Sequence, residues 1–151
     1  MSSNSTDQML KMFFSLETES GNEIESMWVK PLGGAEYEIS NIPFYAKGIA
    51  YGDVVLGERE DDGGLGFIRV LRSGDHSTVR VVVFSEPRVQ DVCARFEALG
   101  CQLEIADIKT LIAIDVPPST PWQPVAATLE ALAADGLIDW EEAALSRHHV
   151  P

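Results

Sequence analysis

Two rhythms of apolar and polar residues divide the chain near residue 75. Before it, apolar positions alternate with polar ones over short stretches, the period of half-buried strands. KMFFSL at 11–16 and IESMWVKP at 24–31 read as strands separated by the turn-forming ESGNE. In the trio Met27, Trp28, Val29, one side chain must face out or against another element. Leu32, Gly33 and Gly34 turn the chain back into EYEIS at 36–40, with Tyr37 and Ile39 on one face and Glu36 and Glu38 on a wet outer face. Strands at 53–58 and 65–71 follow, joined by Glu60, Asp61, Asp62, Gly63 and Gly64, a turn in which glycine supplies positive φ.

Beyond residue 75 the pattern lengthens. TVRVVVF at 78–84 is almost continuously apolar, as expected of a central strand covered on both faces. Ser85, Glu86 and Pro87 open a helix on which Val89, Val92, Cys93, Phe96 and Leu99 form one stripe, and Gly100 stops it. Residues 101–105 and 110–116 read as the strands of a hairpin. Thr120, Pro121, Trp122 and Gln123 start a second helix, Thr120 as cap and Gln123 closing a capping box, with Trp122, Val125, Leu129 and Leu132 buried and Gly136 as the stop. Asp139, Trp140, Glu141 and Glu142 read as the start of a last short helix by the same logic.

The expected fold is therefore α+β: an N-terminal antiparallel β meander or small barrel-like sheet, packed with a C-terminal ferredoxin-like βαββα unit. That unit lacks its last strand, an edge the first half could supply. The expected organisation is a disordered N-terminus at 1–10, a β subdomain at 11–75, the ferredoxin-like subdomain at 76–145 and a frayed tail at 146–151.

Composition changes the picture in one respect. The 151 residues carry a net charge of −13, spread over both halves. Such a field repels nucleic-acid phosphates and anionic membranes, and it favours association with a basic protein surface. The N-terminus has no basic, apolar leader pattern, and no stretch approaches a membrane span, so the expected location is the cytoplasm. Two cysteines are no disulfide framework. Cys93 sits in the helix stripe and Cys101 at a strand start, and both read as buried structural thiols.

Candidate chemistry is sparse. There is no zinc-binding histidine pair, phosphate loop, dinucleotide fingerprint or nucleophile elbow, and no cofactor or metal is expected. Glu58, Glu60, Asp61 and Asp62 are a solvated hairpin tip rather than a calcium loop, which needs oxygen ligands at fixed steps. His76, with Asp53 and with Arg80 on the following strand, offers a weak proton-relay constellation that no spacing rule joins.

The stretch NIPFYAKGIAYGDVV at 41–55 holds the densest set of unusual residues. Pro43 breaks the alternating strand, Phe44 and Tyr45 are expected to fold under the sheet, and the glycines permit sharp bends. Lys47 and the hydroxyls of Tyr45 and Tyr51 are left to face a partner. This stretch, HSTVRV at 76–81, LGC at 99–101, IAIDVPP at 112–118 and DGLIDWEEAAL at 135–145 resemble a bacterial family catalogued as domain of unknown function 4265. The resemblance implies no activity, cofactor or catalytic residue. It marks Gly52-Asp53 and His76–Thr78 as part of the family's pattern.

Two functional classes follow. One is an acidic cytosolic protein-binding domain, such as an immunity protein or antitoxin that occludes the cleft of a basic toxin or enzyme. It would use Glu36, Glu38, Glu58, Glu60, Asp61 and Asp62 for steering and an aromatic such as Tyr45, Tyr51 or Trp28 as anchor. The other is a small-molecule binder or enzyme with a cleft between the subdomains. The balance favours a non-enzyme, as a monomer or homodimer.

Overall fold

The computed structural model of the chain describes residues 8–18 and 21–149. Most of the expected disordered N-terminus, part of the ESGNE turn and the last two residues lie outside the described residues.

The first half closes on itself. Strands β1 (Leu10–Thr18), β2 (Gly21–Gly33), β3 (Glu36–Ile39), β4 (Val54–Arg59) and β5 (Leu65–Arg72) pair in chain order, and a parallel bridge from Phe13 to Gly66 joins β1 to β5. Closure gives the apolar face of each strand a common interior: Met12, Phe14, Met27, Val29, Tyr37, Ile39, Val55 and Leu65 are buried there. Phe14 stacks on Phe67 at 4.7 Å. The β2–β3 register shifts between Pro31 and Gly33, where Pro31 cannot donate to a regular ladder.

The second half is a four-stranded antiparallel sheet in the order β7-β8-β6-β9, from β6 (Ser77–Val83), β7 (Gln102–Ile105), β8 (Leu111–Val116) and β9 (Ile138–Ala144). Helices α1 (Val89–Ala98) and α2 (Trp122–Ala134) bury their stripes against the Val79, Val81, Val83 and Ile112, Ile114, Val116 face. A short 3-10 turn, Glu86–Arg88, leads into α1, and Gly100 at φ +101° ends it, as its glycine predicts.

Three expectations are corrected. Residues 139–142 are not a helix: Ile138 and Trp140 pair with Val83 and Val81, and Asp139 and Glu141 point to the opposite face. The capping-box letters masked this alternation, and β9, not the first half, supplies the edge strand that the sequence left open. Thr120 does not cap α2; its hydroxyl donates to the Gly100 carbonyl at 2.9 Å and ties the end of α1 to the start of α2. The described part of the tail is not frayed. Residues Arg147–His149 form a 3-10 turn that buries His149.

That docking has a simple hydrogen-bond cause. A carbonyl only accepts, so His149 Nε2–H donates to the Pro117 carbonyl at 3.1 Å. Nδ1 is then free to accept from the Ser77 hydroxyl at 2.6 Å, while that oxygen accepts the Ser146 amide at 2.8 Å. Every polar atom of the latch has a partner, which is what allows it to be buried.

Candidate functional site

The stretch at 41–55 is the strap that joins the two halves. It leaves β3, crosses the sheet face opposite the helices and returns to the barrel at β4. Its side chains and its backbone serve different halves. Ala46 and Ile49 belong to the barrel core. The Gly48 amide donates to the Ala143 carbonyl at 2.9 Å, the Ile42 amide to Glu104 at 3.0 Å, and the Thr78 hydroxyl to the Ile49 carbonyl at 3.4 Å.

Two charged side chains clamp its middle. The Glu25 carboxylate on β2 accepts the amides of Phe44, Tyr45 and Ala46 at 2.8, 3.1 and 2.8 Å. From the other side, the buried Arg80 guanidinium donates to the carbonyls of Phe44 and Ala46. Its Nε lies 3.1 Å from Glu141 but is not aligned for a hydrogen bond. Burial lowers the Arg80 pKa, and Glu141 and Glu25 oppose that shift. Tyr45 is not folded under the sheet as expected. With the backbone of 44–46 gripped on both sides, its ring is 53% exposed.

Beside this clamp lies a cleft of about 720 Å³. Ser15, Leu16 and Glu17 of β1 form one wall and Val82, Leu111, Asp139 and Glu141 of the sheet the other. Phe44, Tyr45 and Lys47 of the strap lie between them, over Arg80.

The remaining candidates gather elsewhere, at the junction of strap, barrel and sheet. Asp53 is buried and accepts the amides of Ala50 and Gly74, each at 3.0 Å. Gly74 must be glycine, because a Cβ there would meet the Gly52 carbonyl oxygen at 2.5 Å. The Tyr51 ring lies 5.4 Å from that of His76. His76 Nδ1–H donates at 2.8 Å to Asp115, whose second carboxylate oxygen is buried without a hydrogen-bond partner. Burial raises the pKa of Asp53 and Asp115, against the hydrogen bonds and the His76 charge that lower them.

Thus the expected trio splits. His76 and Asp53 are neighbours, whereas Arg80 serves the strap. Asp115, Glu25 and His149 were not singled out. Asp115 had a signal, since an acid inside IAIDV must find a partner when the strand is buried. Glu25 had none, for in an alternating strand it reads as an outer residue.

The acidic candidates do not converge. Glu36 pairs with Arg72 at 2.8 Å. Glu38 stands beside it on β3. Glu58, Glu60, Asp61 and Asp62 are exposed around the β4–β5 tip, where Asp62 accepts the Gly64 amide at 2.8 Å. Among the described residues no group of three or more His, Cys, Asp or Glu side chains is placed to hold a metal. No helix there is long and apolar enough to cross a membrane.

Cys93 and Cys101 are free and buried, as their patterns predict. Burial pushes the Cys93 pKa up and that of Cys101 to about 12. A thiolate-directed reagent at neutral pH is expected to label both at least about a hundredfold more slowly in the folded protein than after unfolding. Thiol-labelling rates with and without urea check this, and equal rates would show that the thiols are accessible in the fold.

A family model described as Domain of unknown function (DUF4265) matches residues 25–140. The chain belongs to this family. No curated protein matches it. A solved structure titled as a novel crystal structure of a hypothetical protein from Neisseria gonorrhoeae is similar, at 20% identity and a TM-score of 0.79. That likeness covers 92% of this chain and 96% of the other, and it is a likeness of fold.

Proposed function

We propose that this member of the domain-of-unknown-function-4265 family is an acidic protein-binding domain that docks a basic partner. The mode suggested is that of an immunity protein or antitoxin occluding a basic toxin or enzyme in the cytoplasm. One observation carries the reading. The protein pairs a net charge of −13 with a cleft whose walls hold exposed apolar side chains beside carboxylates. Long-range attraction would bring a basic surface to it, and short-range burial would hold that surface.

Affinity capture from the native host tests this. The expected result is a stoichiometric basic partner released as salt is raised to about 0.5 M, where the screening length shrinks below about 5 Å. If the partner is an enzyme, stoichiometric addition of this protein should inhibit it. A partner that is acidic, or one indifferent to salt, would count against the reading.

The cleft volume favours a second reading, a small-molecule ligand, because it falls within the range of about 300–1,000 Å³ typical of such sites. Catalysis there would have to work without His76 and Asp53, which do not line it. The four-stranded sheet is read as a ferredoxin-like unit. What supports this is its β7-β8-β6-β9 order, its antiparallel neighbours and the two helices packed on one face.

A further inference from the structure

The sheet face opposite the helices is buried at its centre, at Thr78, Arg80, Ala113 and Asp115, but the cover stops short. Val82 is 42% exposed in a strand whose other residues are all buried. It stands directly opposite Leu111, and both line the cleft. Just past that end of the sheet, Phe84 and Ile108 are also exposed. An apolar strip running from a cleft over a sheet end is a feature of contact surfaces, whereas single exposed apolar residues are ordinary.

The charges around the strip differ in their commitments. Glu141 already faces Arg80 at 3.1 Å and Lys47 at 3.9 Å. Glu17 and Asp139, on opposite walls, have no ion pair among the described residues. A cation entering the cleft would meet two carboxylates without an ion pair, of which Asp139 also accepts the Trp140 amide at 3.0 Å. An anionic occupant would meet both, together with the field of the whole acidic body. A second copy of this chain brings the same negative charge, and nucleic acid brings more, so neither suits this face.

We infer that the cleft and its strip bind a basic amphipathic segment of a partner protein. Aliphatic side chains of the segment rest on Val82, Leu111 and Leu16, and a lysine or arginine side chain lies between Glu17 and Asp139. This rests on the basic-partner reading above and adds the place and the pattern of the partner's contact residues. At about 720 Å³ the cleft has room for several side chains, so the segment lies across it with alternate residues pointing in.

Short peptides test it with the intact chain. A Lys-Leu alternating peptide, a Lys-Ser peptide of equal charge and a Glu-Leu peptide are titrated at about 0.15 M salt. The Lys-Leu peptide is expected to bind at least about tenfold more tightly than Lys-Ser, the worth of burying one aliphatic side chain. Val82→Ser is expected to remove most of that advantage. The pair Glu17→Gln with Asp139→Asn is expected to weaken the Lys-Leu peptide about fivefold. Neutralising Asp91 and Glu97, exposed on α1 on the other side of the sheet, should leave it within about twofold, as a distant charge change does in salt.

Equal binding of Lys-Leu and Lys-Ser, or loss of binding on neutralising Asp91 and Glu97 and not on Val82→Ser, overturns the inference while the basic-partner reading stands. Failure of both basic peptides to bind, or preference for Glu-Leu, overturns the reading and the inference with it.

Discussion

Replacing Arg80 with Ala is expected to lower the unfolding free energy by about 3 kcal/mol, the low end of what breaking a buried charged cluster costs. The side chain supplies two donors to the strap, at Phe44 and Ala46, and both carbonyls would lose them. Each buried carbonyl left without a donor costs about 1–3 kcal/mol. The ion pair with Glu141 adds little, because that carboxylate is half exposed and rehydrates. Hence Glu141→Gln should change stability by less than about 1 kcal/mol. Arg80→Lys keeps the charge but not the planar fork, and should fall between the two. Urea unfolding of the three variants checks the order. If Arg80→Ala lies within 1 kcal/mol of the parent, then Glu25 and the buried side chains of Ile42, Ala46 and Ile49 hold the strap without it.

The clamp bears on function because the strap presents Tyr45 and Lys47 to the cleft. With Glu25 gripping three amides and Arg80 two carbonyls, the backbone between them has little freedom. A contact surface whose anchors are already ordered loses less entropy on binding. Arg80→Lys, if it folds with a loosened strap, should therefore weaken partner binding without touching the acidic field that attracts the partner.

Where local rules and tertiary packing agreed, the fold was legible. Period-two alternation placed β3, β4 and β5 to within a residue or two. The stripe from Val89 to Phe96 placed α1, and Gly100 and Gly136 marked the ends of the helices. Reading failed where two signals shared the same letters. DWEE is a capping box and also an alternating edge strand, and the strand won because Ile138 and Trp140 fill places opposite Val83 and Val81. The tail failed differently. A polar, histidine-bearing terminus looks frayed until Ser77 and Pro117, far away in sequence, supply partners to His149.

The candidate site divides along the same line. His76 and Asp53 were recognised because their residue types carry chemistry; in the fold Asp53 holds the Ala50 and Gly74 amides and His76 holds the Asp115 carboxylate. Arg80 was grouped with them by its place on the following strand, but it lies on the sheet face under the strap. The cleft itself depends on residues from β1, the strap, β6, β8 and β9 meeting in space. No sequence period encodes such a meeting.

His76→Ala is expected to destabilise the protein by about 3–5 kcal/mol at pH 7 to 8, and by far less near pH 4. Asp115 is 1% exposed, and the His76 bond is the one side-chain hydrogen bond its carboxylate makes among the described residues. Without that bond the charged form keeps its burial penalty and loses the contact that offsets it. The sign follows from the direction of the shift. Burial already holds the Asp115 pKa above its ordinary value of 3.8, and removing His76 raises it further. A carboxyl with a raised folded pKa binds its proton more tightly in the folded state. Its contribution to stability is complete below 3.8 and is lost as pH rises through the folded value. The gap between variant and parent should therefore open as pH climbs from 4 toward neutrality. His76→Asn, which can still offer an N–H, should open a smaller gap. Adding Asp115→Asn to His76→Ala should flatten the pH dependence, because no carboxyl remains to be buried. Urea midpoints at several pH values give the answer. A gap that stays constant with pH would mean that His76 matters for packing against Tyr51 and Gly52, and that the Asp115 charge is stabilised by something other than this histidine.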